Sequence, residues 1–75
     1  MYSNDPYQDL ANAIVLQAAR DYRTALKILK RNPRNEAAAW EVDEDERFFR
    51  SPWFGVLTEV DGAYLIERIR KEAGV

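Results

Sequence analysis

The side chains able to do chemistry in this sequence are carboxylates, lysine, tyrosine, serine and threonine, because histidine and cysteine are both absent. Without either, the usual general base, the usual thiolate nucleophile and the commonest zinc ligands are missing together. No nucleophile stands beside a base at a recognisable spacing, and no glycine-rich stretch could cradle a phosphate. The expectation is a chain that is not an enzyme and carries no catalytic, cofactor-binding or metal residues. The acidic run Glu41, Asp43, Glu44, Asp45 and Glu46 superficially resembles a calcium loop. It lacks the mid-loop glycine and the closing bidentate glutamate that such a loop needs.

Charge is segregated, although the net value is only −2. Six basic residues against one acid lie between Arg20 and Arg34, and six acids with no base lie between Glu36 and Glu46. At 100° per residue, Arg20, Arg23, Lys27, Lys30 and Arg31 fall on one helical stripe that could track phosphates. The competing account is a solvated face with cations favourably placed near a helix C-terminus. Helical i,i+4 pairing is expected for Asp43 with Arg47 and for Glu46 with Arg50. The acidic run either screens the basic stripe across an antiparallel turn or presents an anionic face to a basic partner.

The densest feature is Phe48-Phe49-Arg50-Ser51-Pro52-Trp53-Phe54, four aromatics in seven residues. Phe48 and Phe49 project about 100° apart on a helix, so the expectation is that one small core cannot take every ring. Phe49, Arg50, Trp53 and Phe54 are therefore candidate protein-contact residues, since aromatics and arginine dominate binding hot spots. The alternative is that the rings join the helices internally.

The elements that must position these residues are helices. Asp5-Pro6 is a cap-then-proline start, with Gln8 placed to complete a capping box. Tyr7, Ala11, Ile14, Ala18, Tyr22, Ala25, Leu26 and Leu29 then recur at three- and four-residue spacing up to the turn at Asn32-Pro33-Arg34-Asn35. The reading is an all-α bundle of four segments: a long helix over about 6–31, then 36–50, a short one over 52–58 after Ser51-Pro52, and 62–73 after Asp61-Gly62, closed by Gly74. One domain of 75 residues holds one core. A 26-residue helix is about 39 Å long, more than one antiparallel partner can cover. Either the last two segments fold over residues 7 to 18, or a second copy does, so a homodimer is one of two expected solutions.

The N-terminus Met1-Tyr2-Ser3-Asn4-Asp5-Pro6 has no basic n-region or apolar h-region, and no apolar run approaches the ~20 residues of a membrane span. Cytoplasmic residence is the expectation, with no membrane partner.

Two resemblances accompany these patterns. Tyr22…Ala25-Leu26…Asn32-Pro33-Arg34-Asn35…Ala38 resembles the turn of a single tetratricopeptide repeat, which implies shared turn chemistry in a chain without neighbouring repeats. Asp21-Tyr22-Arg23-Thr24-Ala25-Leu26, Phe48 to Phe54 and Val60 to Ile66 are similar to short uncharacterised proteins of prophages and conjugative elements in Gram-positive gut bacteria. That resemblance implies a mobile-element accessory protein acting on a host factor, with no site or cofactor to carry over. The expected function is a helical protein-interaction module with a protein partner of unknown identity. A nucleic-acid accessory role for the basic stripe ranks second.

Overall fold

The structure is a computed structural model, and it describes residues 5–75. The N-terminal reading of Met1 to Asn4 lies outside the described residues. Four helices occupy the described residues and no strand does: α1 (Pro6–Arg31), α2 (Glu36–Arg50), α3 (Pro52–Leu57) and α4 (Gly62–Glu72). The all-α expectation holds, and the bounds differ from it only at the ends of α3 and α4, where Thr58 and Ala73 are caps.

Each start follows from a side chain satisfying amide groups that have no partner within the helix. Asp5 Oδ1 accepts from the Tyr7 amide at 2.9 Å, and Asn35 Oδ1 from Ala38 at 3.0 Å. Ser51 Oγ accepts from Phe54 at 3.2 Å and donates to the Phe48 carbonyl at 2.7 Å, so one hydroxyl ends α2 and begins α3. Asp61 Oδ1 caps α4 by accepting from Ala63 at 2.9 Å. Gln8 gives its side-chain amide to Asn12 Oδ1 at 3.0 Å, along the outside of α1. Gly74 closes the chain at φ +79°, a left-handed conformation that favours glycine.

Helix α2 folds back on α1 about Pro33, and α3 and α4 close over the pair. Tyr22, Leu26, Val42, Phe49, Phe54, Ile66 and Ile69 form the core. The aromatic segment is its centre. Phe49 meets Tyr22 and Phe54 edge-on at ring separations of 5.5 Å each, and Phe48 meets Phe54 edge-on at 5.6 Å, the geometry that ring quadrupoles favour. The expectation that one core could not take every ring holds for Trp53, which is 55% exposed, while Phe49 and Phe54 are buried and Phe48 packs partly buried against them. α2 is enclosed by α1 on one side and by α3 and α4 on others, so side chains 100° apart are both covered. Phe49 and Phe54 are each 2% exposed.

Gly62 permits the closure of α4. A Cβ there would fall inside the Phe49 carbonyl, so the two backbones approach where only glycine fits. The molecule extends 44 × 24 × 20 Å, its long axis exceeding the ~39 Å of α1. No helix among the described residues is long and apolar enough to cross a membrane.

Candidate protein-interaction site

The candidate contact residues divide. Phe49 and Phe54 belong to the core and are corrected as surface contacts, whereas Trp53 is 55% exposed and Arg50 lies on the surface. The reason is phase: α3 follows Ser51 directly, and its first turn sends Phe54 inward and Trp53 outward.

Trp53 does not stand alone. Val56, one turn on, is 74% exposed, and the two rim a recess of about 380 Å³ whose opposite wall is α1, with Tyr7, Leu10 and Ile14. Tyr7 is 82% exposed and Leu10 also faces solvent, while Ala11 and Leu57 are buried at the base. α3 thus covers only the floor of the N-terminal half of α1, because six residues span ~9 Å against the ~18 Å of the first twelve residues of α1. Tyr7, Leu10 and Val56 were not among the expected site residues. The apolar periodicity of α1 running beyond the reach of α2 signals Tyr7, whereas Leu10 lies outside that spacing and Val56 belongs to α3.

The five cations Arg20, Arg23, Lys27, Lys30 and Arg31 are all exposed, and none forms an ion pair among the described residues. The acidic run does not pair with them. Lys30 reaches over the end of α4, where its ammonium lies against Gly74, a favourable position at a helix C-terminus.

The acidic run also divides, according to which neighbour each carboxylate meets. Glu46 points to α1 and α4: it accepts from the Tyr22 hydroxyl at 2.6 Å and from Arg70 at 3.2 Å through Oε2, and from Arg50 at 3.3 Å through Oε1. Burial, reinforced by the Glu46 carboxylate, pushes the Tyr22 phenol up to about 12. The Glu46–Arg50 pair is as expected. Arg47 instead pairs with Glu44 at 3.6 Å, one residue closer than the expected Asp43, and Asp43 is exposed. Glu41 and Glu44 are half-buried.

Asp45 is corrected as part of a solvent-facing acidic strip, being only 9% exposed. Its Oδ2 is buried and has no hydrogen-bond partner. Burial comes first, then a hydrogen bond with the Glu41 carboxylate, then the charges of Glu41, Asp21 and Glu44, and together they push its carboxyl up to about 7. The placement is readable afterwards: Ala38, Val42, Asp45 and Phe49 recur at helical spacing, so Asp45 sits in the apolar stripe of α2.

Among the described residues no group of His, Cys, Asp or Glu could hold a metal ion. Comparison with known proteins finds no matching family model, no matching curated protein and no matching solved structure.

Proposed function

We propose that this chain is a small non-enzymatic module that binds another protein through the face shared by the N-terminal half of α1 and α3. The observation that carries the reading is the group Tyr7, Leu10, Trp53 and Val56, exposed by 55% or more and gathered on one recess. Taken as ~150–250 Å² per aromatic ring, less for the aliphatic side chains, they leave roughly 500 Å² of apolar surface in water. That lies within the largest patches of ordinary monomers, which are commonly functional, and short of the ~800 Å² per partner of a standard interface. The remainder falls to flanking polar surface. The likeness to short mobile-element proteins supports a host protein as the partner.

Nucleic acid is the second reading, favoured by the five exposed, unpaired cations of α1. A photoactivatable residue placed at Trp53 or at Lys27, in the cells that make the protein, separates the two. Protein adducts concentrated at the Trp53 position are the expected result. Nucleic-acid adducts at the Lys27 position with none at Trp53 would replace the first reading by the second.

A further inference from the structure

The recess at Trp53 has two walls of the same pitch. Trp53 and Val56 stand three residues apart on α3, and Tyr7 and Leu10 stand three residues apart on α1. On a helix that spacing puts each pair on one face, ~4.5 Å apart along the axis. All four side chains are exposed by 55% or more, whereas Ala11 and Leu57 close the floor between them. One face therefore carries both an apolar ridge, on α3, and an uncovered length of α1 against which such a ridge can lie.

The lining is almost without charge. Its one carboxylate, Asp5, is engaged in capping α1 through the Tyr7 amide at 2.9 Å, and no cation lines it. The cations of α1 begin at Arg20, ten residues and ~15 Å beyond Leu10. This decides between occupants. An anionic lipid surface would find no basic residue beside the rings to hold its headgroups. A strongly charged peptide would bury its charge against apolar side chains with nothing to pair it. A second copy brings a surface of the same uncharged kind, and two such faces meet without an acidic or basic run in opposition.

The area points the same way. About 500 Å² of apolar surface on each copy makes about 1,000 Å² between two, and interfaces are about 56–65% apolar. The whole contact would then bury about 1,500–1,800 Å², inside the ~1,200–2,000 Å² of specific interfaces. A two-fold axis repeats every contact, so a ridge of one copy on the α1 wall of the other is matched by the reverse, and the assembly closes at two.

Resting on the reading of this face as protein-binding, we infer that its resting partner is a second copy of this chain, in a two-fold dimer where Trp53 and Val56 of each copy lie over Tyr7 and Leu10 of the other. The second α3 adds ~9 Å of cover where ~18 Å of α1 has only ~9 Å from its own. Ile14, half-buried at the recess, is closed from solvent by the same contact. A host protein takes this face by displacing the second copy.

The test is sedimentation equilibrium of the whole chain between about 1 and 200 µM, with tryptophan emission followed in parallel. The mass should rise from 8.7 kDa toward twice that value. In a Trp40→Phe background the Trp53 emission should move to the blue over the same concentrations. Leu10→Glu and Val56→Glu, one on each wall and both at positions exposed in the single chain, should each weaken association at least ~10-fold, because a charge enters an apolar interface unpaired. Their helical circular dichroism should be unchanged. A chain that stays at 8.7 kDa, association that survives both substitutions, or species that grow past the dimer overturn the inference. A monomeric chain that still gives protein adducts from the Trp53 position in cells overturns the inference alone. A monomeric chain with no such adducts overturns the protein-binding reading as well.

Discussion

Replacing Asp45 by asparagine should stabilise this protein at neutral and alkaline pH and change little in acid. The carboxyl is buried among Glu41, Asp21 and Glu44 and pushed up to about 7, against about 3.9 in the unfolded chain. The folded state then holds more protons than the unfolded state between these values, and stability falls as pH rises through that window. Three units at 1.36 kcal/mol each set a ceiling of about 4 kcal/mol. Water reaching the recess that Asp45 lines with Ile14 and Ala18 reduces this, so about 2 kcal/mol is the working figure for an effective dielectric nearer 20 than 4. Asparagine keeps the shape of the protonated acid and cannot ionise. Its advantage over the native chain should be near zero at pH 4 and grow to about 2 kcal/mol by pH 8. For a domain of this size that is a rise in Tm of roughly 8–16 °C. Urea unfolding of both chains at half-unit steps from pH 4 to 8.5 measures the difference directly, and titrations common to both cancel. Parallel stability profiles, or a native chain more stable than Asp45→Asn at pH 8, would refute the argument that Asp45 is buried among acids without a cation.

Other perturbations probe the remaining joints. Tyr22→Phe leaves Glu46 with its two arginines and should cost about 1 kcal/mol, while Glu46→Ala orphans a buried phenol and should cost about 2–3 kcal/mol, both read from urea midpoints. Because the Tyr22 phenol is pushed up to about 12, one tyrosine should ionise well after the others in an ultraviolet titration. Its proton is favoured by the fold, so stability is lost as pH rises from about 10 towards 12. Gly62→Ala forces a Cβ into the Phe49 carbonyl and should destabilise by at least ~2 kcal/mol. Gly55→Ala meets nothing within 4 Å and should gain up to ~1 kcal/mol from helix propensity, a contrast that thermal melts resolve. Duplex DNA at physiological salt should bind no more tightly than the ~10⁻⁶ M of nonspecific contacts. Submicromolar binding abolished by Arg23→Glu/Lys27→Glu in an anisotropy titration would show that the stripe of α1 reads phosphates.

The helices were legible because their ends are local chemistry. Asp5, Asn35, Ser51 and Asp61 each cap the helix that follows, and a cap needs only a side-chain oxygen two or three residues from an orphan amide. Gly74 was legible for the same reason. Gly62 was not, since its role depends on where the Phe49 carbonyl arrives from another helix. The aromatic segment shows the same limit. The angle between Phe48 and Phe49 is a property of one helix, but whether both rings are buried depends on how many neighbours that helix has, and α2 has three.

The charged residues carry this reasoning furthest. Spacing alone places Glu46 beside Arg50, and the register of the turn at Pro33 brings it level with Tyr22, so two of its three partners could be reasoned from the chain. Arg70 comes from α4, 24 residues away, and depends on the closure that Gly62 permits. One position earlier, Asp45 lies a further 100° round the helix, and that rotation moves it from Arg70 of α4 to the acids Asp21 and Glu41. Adjacent carboxylates of one acidic run therefore have opposite parts. Glu46 is satisfied by its own chain and ties three helices together. Asp45, a single residue away, meets no cation and is held towards its protonated form by burial and by its hydrogen bond with Glu41. A run that reads in sequence as one solvated strip is divided by helical phase into a brace between three helices and a buried acid that the fold holds towards its protonated form.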